Sequence, residues 1–124
     1  MLEIRDLYVR YGGVQAVQGV SLSIPRGSIV TLVGANGAGK SSIIRSIAGL
    51  NKNISGEILL TRREGEEPRS LVGLKPEDMV RNGISLSPEG RRILPHLTVA
   101  ENLRLGAYAR SDEDGIAADL EKVY

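Results

Sequence analysis

Residues 34–41 read Gly-Ala-Asn-Gly-Ala-Gly-Lys-Ser and match the phosphate-loop pattern G-x-x-x-x-G-K-[ST] at every fixed position. The apolar run at residues 28–33 leads into this loop and predicts a strand. A helix is predicted after the loop, because apolar residues recur there on one face: Ile43, Ile44, Ile47 and Leu50. Strand, glycine-rich loop and helix form the context that the pattern requires, so this segment predicts nucleotide binding.

The residue types of the loop suit a polyphosphate. Glycines let main-chain N–H groups curl around phosphates, and the start of the following helix adds its positive dipole end. Lys40 is expected to reach the β- and γ-phosphates, and the Ser41 hydroxyl to complete a Mg²⁺ shell. A glycine-rich turn that merely caps a helix would explain the glycines but not the Lys-Ser pair. The predicted nucleotide-binding residues of the loop are Gly34, Asn36, Gly37, Ala38, Gly39, Lys40 and Ser41.

Composition narrows the class of protein. The 124 residues fit one domain, and 16 Lys and Arg against 15 Asp and Glu leave a formal net charge of +1. That balance argues against a nucleic-acid-binding surface. The sequence has no cysteine, so neither a disulfide framework nor a thiolate metal site is possible in it. No apolar run reaches the length of a membrane span, and the first residues read as a cytoplasmic strand rather than a signal peptide.

Further elements are predicted from periodicity, turn residues and caps. Strands are expected at residues 2–9, 15–24, 55–60 and 84–86, and an exposed loop at residues 62–73. A short helix is expected to begin at Pro76 and to close at Asn82-Gly83. Thr98 and Glu101 have capping-box spacing before another helix, and the acidic residues 112–114 precede a last one.

At this point the sequence resembles a known family, the ATP-binding-cassette ATPase domains of ABC transporters. Residues 7–11, residues 16–22 and the phosphate loop are similar to the N-terminal third of those domains. Residues 87–92 (Ser-Pro-Glu-Gly-Arg-Arg) and 97–103 (Leu-Thr-Val-Ala-Glu-Asn-Leu) resemble the ATPase subunits of branched-chain amino acid importers. The resemblance implies an α/β fold of the phosphate-loop NTPase type, with an antiparallel β part followed by a strand, the loop and a helix.

The resemblance also implies roles for single residues. Tyr11 matches the aromatic residue that stacks on adenine, Val17 one that packs near the sugar and base, and Ser42 a hydroxyl that contacts the α-phosphate. The residues alone favour Tyr11 as a core residue at a strand end, and by helix geometry alone Ser42 could equally be an ordinary residue of a first helical turn. ATP and Mg²⁺ are therefore the expected cofactors.

Glu89 stands where most of the family carries a glutamine that touches the Mg²⁺ or the attacking water and couples the site to the membrane subunits. The resemblance implies a coupling or Mg²⁺-binding role for this carboxylate, and a surface or helix-capping acid is the alternative. His96, the single histidine, is expected to lie in a surface loop without a chemical role.

The sequence lacks a Leu-Ser-Gly-Gly signature, an apolar strand ending in Asp-Glu, and a later switch histidine. Residues 1–124 are accordingly expected to be the N-terminal portion of a single ATPase domain, truncated before the signature. Such a chain should bind nucleotide with little or no turnover. The resemblance implies that a carboxylate strand lies between residues 28–33 and 84–86 in the family. Without it two apolar strand edges are left unpaired, and the isolated chain is expected to be marginally stable or to self-associate.

The function that the resemblance implies is the ATP-binding part of a subunit that powers import of a solute, branched-chain or other hydrophobic amino acids. Its expected partners are membrane-embedded permease subunits and a second ATPase subunit, with no nucleic acid and no direct membrane insertion. The expected location is the cytoplasm, on the inner face of the cell membrane. The alternatives are a non-catalytic remnant that binds nucleotide, and a different phosphate-loop kinase or GTPase.

Overall fold

The computed structural model describes residues 1–90 and 92–124. The chain forms two compact units, Met1–Leu86 and Ser87–Tyr124. The phosphate-loop segment belongs to the first unit, and the Pro-Glu-Gly-Arg element belongs to the second. Arg91, part of that element, lies outside the described residues.

The first unit is built on an antiparallel sheet with the strand order β2-β1-β3-β4. Its strands are β1 (Leu2–Tyr11), β2 (Val14–Ile24), β3 (Ile54–Leu60) and β4 (Arg69–Ser70). The three long strands confirm the predictions from alternating apolar residues. The expectation of an exposed loop at residues 62–73 is wrong in part, because β4 pairs with β3 there and Leu71 is fully buried.

Across residues 1–90 and 92–124, four helices follow from local signals in the sequence. They are α1 (Lys40–Ile47), α2 (Pro76–Arg81), α3 (Val99–Gly106) and α4 (Glu113–Val123). The predicted capping box is present, since Glu101 N donates to Thr98 Oγ1 over 3.2 Å and Thr98 N donates to Glu101 Oε2 over 2.7 Å. Among the helices of the described residues, none has the length and apolar character needed to cross a membrane.

The core of the first unit joins the sheet to α1. Its buried residues are Ile4, Leu7, Val9, Val17, Ile43, Ile58, Leu71 and Met79. The predicted apolar face of α1 is right for Ile43 and Ile47, but Ile44 and Leu50 are 42% and 46% exposed. Ser46 is buried in their place, because its hydroxyl donates to Ser42 O over 2.7 Å and so loses no hydrogen bond on burial.

The strands predicted at residues 28–33 and 84–86 are not formed, although both segments are described. Ile29 and Val33 are 98% and 91% exposed. An apolar run shows a tendency to form a strand, but a strand needs a neighbour that completes its main-chain hydrogen bonds. Within the described residues these two segments pair with no strand. Leu32 and Ile84 still pack against the core, whereas Ile29 and Val33 stay in solvent.

Candidate functional site

Residues 34–39 form a glycine-lined turn ahead of α1. Ala38 N donates to Ala35 O over 3.1 Å, which closes the turn. Gly37 and Gly39 have φ of +84° and +90°, in the left-handed region that residues with a Cβ disfavour. This backbone exposes main-chain N–H groups without side chains in front of them, as expected of a loop that surrounds an anion.

Gly39 is the N-cap of α1, and it has no side chain that could accept from the first-turn amides. The first N–H groups of a helix have no partner within the helix and carry its positive dipole end. At α1 they therefore remain available to an external acceptor, next to the N–H groups of the loop.

The Lys40 side chain lies across the loop. Its ammonium donates to Gly34 O over 2.5 Å and to Ala35 O over 2.7 Å. The cation is thus held at the first residues of the loop, while its main-chain atoms begin α1. The ammonium thus lies at the predicted loop, and its contact with β- and γ-phosphates stays a prediction.

The neighbouring hydroxyls lie in the first turn of α1. Ser41 is exposed and Ser42 is half-buried. Within the described residues, no group of three or more His, Cys, Asp or Glu side chains gathers as a metal site. A Mg²⁺ ion held by one or two protein oxygens plus substrate phosphates suits this arrangement, because Mg²⁺ seldom uses an all-protein cage. The residues of the loop and of α1 therefore fit a Mg²⁺–polyphosphate.

Tyr11 and Val17 come from the hairpin of β1 and β2. Tyr11 is 46% exposed, and its hydroxyl donates to Asn51 Oδ1 over 3.0 Å. Its ring is therefore not a buried core residue, which was the alternative to a stacking role. Val17 is 4% exposed, and it packs in the core beside Gly39. It supports the loop from beneath and has little surface left for contact with a ligand.

The structure adds three residues to the site that the sequence reasoning missed. Asn51 binds both Tyr11 and α1, Ser46 accepts from Asn51, and the Ala16 carbonyl lies against Gly39. Asn51 lies two residues after Gly49, just beyond α1, and it belongs to no sequence motif. Its role appears only when residues distant in sequence come together.

Glu89 and His96 belong to the second unit. Both are exposed, Glu89 in the turn at residues 89–90 and His96 in the turn at residues 95–96. The exposed turn that holds His96 agrees with the expected surface loop.

A surface cavity of about 730 Å³ lies at the hairpin of the first unit. It is lined by Tyr8, Arg10, Gly12, Gln15, Lys52, Asn53, Ile54 and Ser55. None of the lining residues belongs to the phosphate loop, so the cavity and the loop are separate features of the first unit.

Comparisons with known proteins agree with this geometry. Residues 17–124 match the sequence family described as ABC transporter. The chain is 42% identical over 123 residues to the high-affinity branched-chain amino acid transport ATP-binding protein BraG of Pseudomonas aeruginosa, covering 99% of the chain and 50% of that protein. It is 42% identical over 107 residues to the ribose import ATP-binding protein RbsA of Yersinia pestis, covering 86% of the chain and 20% of that protein. It is 41% identical over 125 residues to the sn-glycerol-3-phosphate import ATP-binding protein UgpC of Vibrio cholerae, covering 99% of the chain and 31% of that protein.

A solved structure shares the fold. A crystal structure of a nucleotide-free ATP-binding cassette from an ABC transporter superposes with a TM-score of 0.65 at 20% identity, covering 98% of this chain and 51% of that one. The chain thus spans about half the length of the Pseudomonas protein and of the solved cassette. The α/β phosphate-loop fold implied by the sequence is confirmed. Since the family match extends over most of its residues, the chain belongs to the ABC transporter family, with the fold of the ATP-binding cassette.

Proposed function

We propose that the chain binds Mg-ATP through residues 34–41, as the nucleotide-binding part of the ATPase subunit of a solute importer. The observation that carries this proposal is the Lys40 ammonium, held across a glycine-lined loop at the uncapped start of α1. Main-chain donors, a helix dipole and a cation converge there. A glycine-rich turn that only capped α1 would need neither Lys40 nor main-chain N–H groups that lack a partner.

Binding requires one rearrangement of the residues present. Lys40 leaves the carbonyl oxygens of Gly34 and Ala35 and turns to the β- and γ-phosphate oxygens, which are stronger acceptors because they are charged. Ser41 is proposed to hold the Mg²⁺, and Ser42 to contact the α-phosphate. Tyr11 offers its ring to the adenine, since an aromatic face suits the apolar face of a base.

Hydrolysis demands more than the loop. The attacking water must be positioned by a base, and charge that develops on the γ-phosphate must be stabilised. We assign to Glu89 the coupling or Mg²⁺ position, and we treat residues 1–124 as the N-terminal portion of one ATPase domain. The chain by itself then binds nucleotide without turnover, which is the second candidate function. Its basis is that the given sequence has no Leu-Ser-Gly-Gly segment and no apolar strand ending in Asp-Glu.

Two measurements on the chain test this pair of proposals. Calorimetric titration with Mg-ATP should give saturable binding, with Mg-GTP binding similarly because stacking alone discriminates bases weakly. Phosphate release from Mg-ATP should stay at the rate of a protein-free control. Absence of saturable binding would refute the proposed function, and release well above the control would refute binding without turnover. In the intact subunit, Glu89→Ala should uncouple ATP turnover from transport.

The proposed solute is a branched-chain or other hydrophobic amino acid. Its support is the similarity to the Pseudomonas branched-chain amino acid protein over 99% of the chain. The proposed partners are permease subunits and a second ATPase subunit, at the cytoplasmic face of the membrane. Labelled leucine and ribose uptake should be compared in source cells whose gene carries Lys40→Ala. Loss of leucine uptake alone is expected, whereas loss of ribose uptake alone would assign the chain to a sugar importer.

A further inference from the structure

Tyr11 lies at the end of the β1–β2 hairpin, and its hydroxyl links it to a residue distant in sequence. It is the last residue of β1 and pairs with Val14 across the two-residue turn Gly12-Gly13. The two glycines supply no side chain that could pack against the ring. Tyr11 is 46% exposed, and its hydroxyl donates to Asn51 Oδ1 over 3.0 Å, a bond that restrains the orientation of the ring.

Asn51 ties this hydroxyl to α1. Its Nδ2 donates to Ser42 O over 3.0 Å and to Ser46 Oγ over 2.9 Å. A carbonyl oxygen only accepts, so the amide nitrogen must face Ser42 and the amide oxygen must face Tyr11. The chemistry of the partners thereby fixes the orientation of the amide, and the Tyr11 hydroxyl must be the donor.

The amide therefore joins two parts of the proposed nucleotide site. One is Tyr11, the proposed adenine platform, and the other is the helix turn that follows the phosphate loop. The residues joined are 40 positions apart along the chain, so no local backbone geometry sets their separation. The distance between the base and the phosphates of a nucleotide has an upper limit. If Tyr11 is already held at a suitable distance from the phosphate loop, its side chain loses less conformational entropy when the nucleotide binds.

We propose that Asn51 is a positioning residue, which holds Tyr11 at the distance and orientation from α1 that a bound adenine nucleotide requires. The inference rests on the proposed function, because it needs Tyr11 to contact the base. Asn51 acts through the Tyr11 hydroxyl and makes no contact with the nucleotide. The contribution of Asn51 to affinity should therefore depend on the base. The affinity for a ligand that has only phosphates should not depend on Asn51.

The test is titration of the chain with Mg-ATP and with Mg-tripolyphosphate. Asn51→Ala should weaken Mg-ATP binding roughly two- to tenfold, the effect of one neutral hydrogen bond, and leave tripolyphosphate binding within about twofold. Tyr11→Phe removes only the hydroxyl, and it should reproduce the same selective loss. The double variant should lose no more than either single variant, because both changes break the same interaction.

Asn53→Ala is the matched control. Asn53 is an exposed asparagine near Asn51, and its main-chain carbonyl, which the substitution retains, accepts from Arg10 N over 3.1 Å. This variant should bind both ligands as the original chain does. If Asn51→Ala does not fold, Tyr11→Phe alone carries the test, since it deletes a single oxygen.

Three results would overturn the inference. Equal weakening of Mg-ATP and tripolyphosphate would make Asn51 a structural support of α1 only. Unchanged Mg-ATP binding in Asn51→Ala or Tyr11→Phe would show that the bond does not position the ring. If the original chain bound neither ligand, both the proposed function and the role of Asn51 would fail. If every variant retained tripolyphosphate binding and only the expected loss of Mg-ATP affinity were missing, the role of Asn51 alone would fail.

Discussion

Gly39 lies directly against the main-chain carbonyl of Ala16: a Cβ built on Gly39 would stand 2.5 Å from that oxygen. The pairing register shifts between Val9↔Val17 and Arg10↔Gln15, which leaves Ala16 as an extra residue in β2. This bulge lies against the phosphate loop. The final glycine of the loop is thus required by close contact with the sheet as well as by its own φ of +90°.

Gly39→Ala should therefore destabilise the first unit more than Gly37→Ala does. Both glycines have positive φ, and a Cβ in the left-handed region costs about 1–2 kcal/mol. A Cβ on Gly37 would meet nothing within 4 Å, whereas one on Gly39 also meets the Ala16 carbonyl and Val17. Urea unfolding of the two variants measures the difference. Equal losses of unfolding free energy would show that the contact with β2 does not constrain the loop.

Lys40→Ala should weaken Mg-ATP binding by about 10- to 100-fold, because hydrogen bonds to a charged group contribute about 1.5–3 kcal/mol. Calorimetry on the folded variant gives the affinity. Lys52→Ala is the control, since Lys52 is an exposed lysine that lines the hairpin cavity and not the loop. Comparable losses in the two variants would indicate a general charge effect in place of a specific phosphate contact.

The isolated chain should self-associate through its unpaired apolar segment at residues 28–33. Ile29 and Val33 are 98% and 91% exposed, and unpaired apolar strand segments recruit other chains. Sedimentation velocity should show an average mass that rises with concentration. Ile29→Lys should reduce this self-association, because a charge at position 29 opposes burial of the segment against a second chain. Val123→Lys, at a residue 65% exposed in α4, is the control. A monomer at every concentration, with a sharp melting transition, would refute this prediction.

Arg110→Gln should raise the pKa of Asp112. In the second unit the Arg110 guanidinium donates to Asp112 and lowers the pKa of that carboxyl from 3.8 to about 2. A carboxyl whose pKa is lower in the folded state stabilises that state above its unfolded pKa, and the contribution is lost as the pH falls through about 2. Arg110 also donates to Asp119 and lowers its pKa. Carbon NMR titration of both carboxyls measures the shifts, and an unchanged Asp112 pKa in the variant would show that the guanidinium is not the cause.

Elements specified by neighbouring residues could be predicted from the sequence. β1 and β2 follow from alternating apolar residues, and α3 follows from the spacing of Thr98 and Glu101. The turn at residues 34–39 follows from its own residue types, since Gly37 and Gly39 adopt the positive φ that glycine favours. These features depend on interactions within a few positions along the chain.

Features that depend on distant partners could not be predicted. Residues 28–33 have the pattern of a strand but pair with none in the described part of the chain, and pairing is a property of two segments. Ser46 is polar at a position where period alone favours an apolar residue, and its burial depends on the Ser42 carbonyl and Asn51. Leu71 is buried within a polar stretch because β4 joins the sheet just before it.

In the proposed function, main-chain amides of the loop and the Lys40 ammonium surround a polyphosphate. Amide chemical shifts of the isotope-labelled chain, recorded while Mg-ATP is added, test it most directly. The largest changes in amide shift are expected at residues 36–42, and they should saturate as the nucleotide is added. Changes centred on the hairpin cavity around Arg10 and Lys52, with residues 36–42 unmoved, would contradict it.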